Sequence, residues 1–211
     1  MKNIVWDFDG TIANSYPGMV IAVQESLKNN FDIELSRDTI YKDIKETSIR
    51  KYVNELFSDD DHYSQDVAKN VKIFYEDYKL IERKYQDRIQ LLPHALQALK
   101  YLSEAGDRQF IITHRDESIH EIAKNLEISQ FFEEIVSVAD NFERKPDSNM
   151  LDYLMEKYQL DSDDIYVIGD RKIDIDFGHS INAHTILLDE IGGDYSQEYT
   201  IGSLAEIKNI I

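Results

Sequence analysis

Short, nearly unbroken apolar runs constrain this chain more than any other feature. They fall at residues 3–6, 109–113, 134–138, 165–169 and 184–188, with a weaker one at 198–201. Strands exposed on one face alternate apolar and polar residues. Runs that do not alternate are expected where a parallel sheet is covered on both faces. Amphipathic stretches suited to helices lie between them, at 95–104, 118–126, 148–158 and 172–181. Strand and helix in turn predict a doubly wound, mainly parallel α/β sheet of Rossmann-like type.

The alternation breaks once. No strand pattern is visible from Pro17 to about Arg88. Val67, Val71, Phe74, Tyr78, Ile81 and Tyr85 recur at helical spacing, as do Val20, Val23 and Leu27. So long a stretch is no plain loop. The predicted organisation is an α/β core of residues 1–15 and 89–211 with a helical domain, 16–88, inserted into it. The acidic run from Ser58 to His62 reads as a solvated turn between two inserted helices.

Composition narrows the function. The chain has 211 residues, 41 of them Asp or Glu against 23 Lys or Arg, for a net charge of −18. Such a surface repels polyanions, so no nucleic-acid partner is expected. No apolar run is long enough to span a membrane, and no signal peptide is visible before Asp7. Cysteine is absent, which rules out disulfides and thiolate metal sites. A cytoplasmic location is the expectation.

Four segments at strand ends carry residues able to do chemistry. Trp6-Asp7-Phe8-Asp9-Gly10-Thr11 places two carboxylates around one residue, followed by a glycine that permits a turn. A turn starting at Phe8 would bring both carboxylates to one site. There they could divide roles, one an ionised nucleophile and the other a proton carrier with a raised pKa. An Asp-Gly turn with a capping aspartate is the plainer reading of that segment alone. Thr113 ends the next strand with a hydroxyl that can hold a phosphate oxygen or cap the following helix. In Arg144-Lys145-Pro146-Asp147, proline restricts Lys145 to an extended conformation and suits the first turn of the next helix. Gly169-Asp170 ends a further strand, and Asp174 follows one helical turn later, an oxygen-rich pair suited to a hard cation such as Mg²⁺. In a doubly wound sheet the carboxyl ends of the strands converge on one site.

Taken in order, Asp7-x-Asp9-Gly10-Thr11, Thr113, Lys145-Pro146 and Gly169-Asp170-x-x-x-Asp174 resemble the haloacid dehalogenase superfamily of phosphatases. The helical insert after the first motif is similar to the branch holding phosphoglycolate phosphatases and β-phosphoglucomutases. Asn14, His94 and His184 depart from that branch's usual residues, beside the motifs rather than in them. The resemblance implies Asp7 as nucleophile, Asp9 as acid and base, and Thr113 and Lys145 as further catalytic residues. It implies Mg²⁺ held by the Asp7 and Asp170 carboxylates and the Asp9 backbone carbonyl, with Asp174 supporting directly or through water. Gly10, Thr113, the His114 backbone N–H and Lys145 would bind phosphate. Lys45 and Ser48 in the insert would contact substrate. A small phosphorylated metabolite is the implied partner, while the oligomeric state, monomer or weak dimer, stays open. The implied activity is phosphomonoester hydrolysis, with a β-phosphoglucomutase-like phosphomutase as the alternative. A dehalogenase is disfavoured because that chemistry needs no carboxylate at the position of Asp9. All motif residues being present argues against a silent binding module.

Overall fold

The protein is described from a computed structural model covering residues 1–189 and 193–211. The chain divides into two compact units, Met1–Asn14 with Gln90–Ile211, and Ser15–Ile89.

The first unit is built on β1 (Asn3–Trp6), whose residues are all buried. A short strand, β2 (Ala13–Asn14), precedes the point where the chain leaves this unit. The second unit then supplies α1 (Tyr16–Phe31), α2 (Arg37–Glu46), α3 (Ile49–Asp59) and α4 (Val67–Arg83). On its return the chain forms β3 (Gln90–Leu91), α5 (Ala95–Glu104), β4 (Arg108–Ile112), α6 (Ser118–Asn125), β5 (Glu134–Val136) and α7 (Asn149–Tyr158). It closes with β6 (Ile165–Gly169), α8 (Lys172–His179), β7 (His184–Leu188) and β8 (Tyr199–Ile201).

Six strands form one sheet in the order β5-β4-β1-β6-β7-β8, every pair parallel. The chain moves outward from β1 to β4 and β5, then crosses back to β6 on the other side of β1. That reversal is the switch point at which α/β sheets form their sites. Val5, Phe110, Ile112, Val136 and Val167 pack with Met150, Leu151 and Leu154 of α7 and Phe177 of α8. These side chains share one face of the sheet, while Ile4, Trp6, Ile111 and Ile168 on the other are buried as well, which explains the absence of alternation in the strands. A buried polar pair is fully used: Trp6 Nε1 donates to Gln109 Oε1 at 3.1 Å, and Gln109 Nε2 donates to the Leu99 carbonyl and Ser103 Oγ. α8 lies close on the sheet because a side chain at Gly178 would collide with Thr185 Cγ2, 2.5 Å away.

β2 and β3 pair antiparallel where the chain leaves and re-enters this unit. The sequence reading missed them, since two residues each show no periodicity. It also carried several element ends one or two residues too far, as at Thr113 and Ile181.

The second unit is helical throughout. Val20, Val23, Leu27 and Phe31 of α1 share a core with Ile40 and Ile44 of α2, Val53 and Phe57 of α3, and Phe74 of α4. Val67, Val71 and Tyr78 pack against that core, whereas Tyr85 lies beyond the end of α4. Ser36, Ser48 and Asp66 cap α2, α3 and α4 by accepting backbone N–H groups. In the acidic run, Asp60 Oδ1 accepts from His62 N at 2.8 Å, as a turn requires. No helix among the described residues is long and apolar enough to cross a membrane.

Candidate active site

The register of the sheet builds the site. Trp6 lies level with Ile111 on one side and Ile168 on the other. Asp7, the next residue, donates its N–H to the Ile168 carbonyl at 2.8 Å, and so stands level with the end of β6. One residue past that end is Asp170. Asp174 follows in the first turn of α8 and is completely buried. Its approach to the strand depends on Gly169, where an added Cβ would fall 2.2 Å from the Asp174 Cβ. One carboxylate oxygen from each of Asp7, Asp170 and Asp174 lies within 4.8 Å of the others.

Lys145 enters this group from the turn before α7. Its Nζ donates to Asp7 Oδ1 and to Asp174 Oδ1, each at 2.8 Å, with all three side chains buried. Burial opposes an ammonium, but Asp174 and Asp7 overcome that penalty and hold the Lys145 pKa above its ordinary value. The opposite balance holds at Asp7. Burial first, and then the negative charge of Asp174, push its carboxyl up to about 7 despite Lys145. Asp7 therefore holds a proton more readily than an ordinary carboxyl does. Arg171 Nε adds a second positive charge, 3.7 Å from Asp170 Oδ1 and 4.0 Å from Asp174 Oδ2.

This donor set fits a hard divalent cation. Asp7 Oδ2 and Asp174 Oδ2 are buried with no hydrogen-bond partner among the described residues. An unsatisfied buried carboxylate oxygen is costly unless a cation completes it. Three carboxylates on a rigid strand end and helix start match the few oxygen ligands that Mg²⁺ takes from protein.

Asp9 has a charged partner of its own, outside the three-carboxylate group. The Phe8 carbonyl does accept from the N–H groups of Thr11, Ile12 and Ala13, so the predicted turn exists. The Asp9 carboxylate, however, is held by Arg115 Nε at 2.7 Å and is not part of the three-carboxylate group. Gly10 adopts φ 86°, a conformation that favours glycine. Its N–H is donated to the Ala13 carbonyl at 2.8 Å, which helps close the turn.

Thr113 is fully buried just past β4, and its Oγ1 accepts from Arg115 N at 3.2 Å. That contact, and not a cap on α6, is its structural use. His114 Nε2 accepts the Lys145 backbone N–H at 3.0 Å. Burial first, then the charges of Lys145, Arg144 and Arg171, push the imidazole down to about 2, so the ring is neutral. Pro146 follows Lys145 through a cis peptide bond and precedes the Ser148 cap of α7. It therefore lies outside the helical turn where the sequence reading put it. Lys45 and Ser48 belong to the helical unit. Lys45 Nζ sits over the Tyr16 ring at 5.8 Å, and Ser48 Oγ caps α3.

Arg115, Arg171 and the His114 ring were not foreseen from the sequence. Arg115 and His114 adjoin Thr113 in one strand-end segment, and Arg171 lies between Asp170 and Asp174. A basic residue flanking a strand-end motif was the available signal.

A parallel sheet with a carboxylate-lysine group at the carboxyl ends of its central strands defines an α/β enzyme core. The chain belongs to the haloacid dehalogenase-like hydrolase family, whose model matches residues 4–188. It is accordingly an enzyme of the hydrolase class, with phosphatases named among its relatives. One such relative is a phosphoglycolate phosphatase of Vibrio cholerae, 23% identical over 189 residues that make up 83% of this chain and 78% of that protein. A hydrolase from Streptococcus pneumoniae of known structure is 30% identical, with 88% of this chain and 92% of that chain covered and a TM-score of 0.60. A haloacid dehalogenase-like family hydrolase from the same organism superposes with a TM-score of 0.80 at 22% identity, covering 100% and 98%.

Proposed function

We propose that the protein is a Mg²⁺-dependent phosphatase that hydrolyses a small phosphorylated metabolite through an aspartyl-phosphate on Asp7. The observation that carries this reading is the Lys145 ammonium bridging Asp7 and Asp174 beside two unsatisfied carboxylate oxygens. A carboxylate that attacks phosphorus must meet a dianion, and this arrangement supplies a cation beside the nucleophile.

In the first step an Asp7 oxygen bonds to phosphorus in line as the ester P–O bond breaks. Asp9 gives its proton to the departing alkoxide, then takes one from the water that hydrolyses the acyl phosphate. To do so Asp9 leaves the contact with Arg115 that it holds here. Thr113 Oγ1 and the His114 N–H hold phosphoryl oxygens, and Lys145 offsets the charge between Asp7 and substrate. The Asp7 and Asp170 carboxylates and the Asp9 carbonyl would hold Mg²⁺, with Asp174 supporting, and the ion would neutralise phosphoryl charge. Lys45 and Ser48 of the helical unit are assigned to reading the leaving group.

Phosphoglycolate leads the substrate candidates because it is the compound named in the curated relatives. A panel of phosphomonoesters with Mg²⁺ tests the proposal, and release of inorganic phosphate from at least one small ester is expected. Conversion of a sugar 1-phosphate to its 6-phosphate would make the enzyme a mutase instead. No turnover of any ester with Mg²⁺ would overturn the reading.

A further inference from the structure

We propose that the side chain of His114 is a positioning residue that fixes Lys145 in the site, by accepting the Lys145 backbone N–H through Nε2. This role is distinct from the backbone contact to phosphate assigned above, and it rests on the phosphatase reading for its activity test alone.

The geometry motivates it. Lys145 lies in a turn between β5 and α7, not on a strand end as Asp7 does. Its neighbour Asp147 donates its N–H to the Arg144 carbonyl at 3.0 Å, which closes the turn on itself but does not tie it to the sheet. The tie comes from 31 residues away, where His114 follows β4 directly and its Nε2 lies 3.0 Å from the Lys145 nitrogen. The lysine is thus held at both ends. Its backbone is fixed to the end of β4, and its Nζ to Asp7 and Asp174.

Only a neutral ring with its hydrogen on Nδ1 can accept at Nε2. The surroundings enforce neutrality. The groups facing the ring are Lys145, Arg144 and Arg171, all cations, and their charges add to the burial penalty on an imidazolium. A histidine here is therefore a fixed acceptor and not a titrating base. A buried N–H deprived of its acceptor is costly, so the turn is expected to shift and carry the ammonium away from Asp7.

Two measurements test this. The first is ring ¹⁵N NMR of the wild-type protein. A Nδ1–H tautomer unchanged from about pH 5 to about pH 9 is expected. A ring protonated at Nε2, or a charged ring, overturns the proposal. That result does not depend on activity, so it decides the matter even where the phosphatase reading fails. The second compares His114→Gln with His114→Leu at matched folded fraction, using p-nitrophenyl phosphate turnover and inorganic phosphate binding. Glutamine reaches as far as Nε2 with an acceptor oxygen and should retain kcat/KM within about threefold. Leucine, similar in bulk but without an acceptor, should lose at least about tenfold in kcat/KM, which corresponds to about 1.4 kcal/mol, and weaken phosphate binding in parallel. A merely structural role would lower the melting temperature of His114→Leu and leave turnover per folded molecule unchanged. That outcome, or equal loss in both variants, overturns the proposal.

Discussion

Replacing Asp7, the proposed nucleophile, should stabilise the protein in chelator while abolishing turnover. The Asp7 carboxyl is raised from 3.8 to about 7, first by burial and then by Asp174. The folded state therefore holds a proton that the unfolded chain has already released between those values. By linkage, stability falls as pH rises through this window, and the whole loss is present above about pH 7. A gap of roughly three units corresponds to a ceiling of about 4 kcal/mol for this fully buried group. Asp7→Asn removes the titration while leaving an oxygen to accept from Lys145. The charges at the site then change from three carboxylates against Lys145 and Arg171 to two against two. The assay is urea unfolding in EDTA, followed by fluorescence of Trp6, the sole tryptophan and 1% exposed. At about pH 8 the variant should gain roughly 2–4 kcal/mol, with the gain shrinking toward zero near pH 4. Addition of Mg²⁺ should stabilise the wild type by mass action and the variant much less. An equal or lower stability of Asp7→Asn at about pH 8, or a gain independent of pH, would refute the charge argument.

Other expectations follow from the same site. Lys145→Met leaves Asp7 and Asp174 buried against each other without their shared cation, and should lose turnover and about 3–5 kcal/mol in EDTA, part of it recovered with Mg²⁺. Gly169→Ala puts a methyl group 2.2 Å from the Asp174 Cβ; calorimetry should show Mg²⁺ affinity down by at least about tenfold, with about 1–3 kcal/mol of overpacking cost. Asp9→Asn keeps an oxygen for Arg115 but loses the charge of that pair and the proposed proton transfer, so the first step should slow by about 100- to 10,000-fold for alkyl phosphates and far less for p-nitrophenyl phosphate, with a burst of phenolate; equal losses for both would give Asp9 a structural role. Inorganic phosphate should bind more tightly when Mg²⁺ is present, and Mg²⁺ more tightly with phosphate, by the same factor; calorimetry that finds no coupling would count against a shared site.

The fold was legible wherever one local rule applied along a whole element. Asn3–Trp6, Ile165–Gly169 and His184–Leu188 were read to the residue because each holds a run of at least three consecutive apolar residues bounded by polar or turn residues. The helical insert was legible from its periodic apolar positions, whereas β2 and β3 were invisible because pairing, not composition, defines them. In the site, Asp7, Lys145, Asp170 and Asp174 were named from motif order, and the structure brings these four together. The direction of the Asp9 side chain was not legible, because Arg115 lies 106 residues away and only the pairing of β1 with β4 makes them neighbours. The fate of the Gly10 N–H was equally hidden, since its acceptor is set by the return of the turn at Ala13.

The net charge of −18 posed a problem for any enzyme of an anionic substrate, and the structure resolves it locally. Charges on the outer surface are screened within roughly a Debye length, about 8–10 Å in ordinary salt, while buried charges are screened far less. The field at Asp7 is therefore set by its immediate neighbours. Asp9 and Arg115 cancel as a close pair. Asp7, Asp170 and Asp174 against Lys145 and Arg171 leave one net negative charge, and a bound divalent ion would turn that into one net positive charge. Lys145 alone is thus too little for a phosphate dianion. Lysine and a bound divalent ion together would reverse the sign of the site, without help from the acidic surface around it.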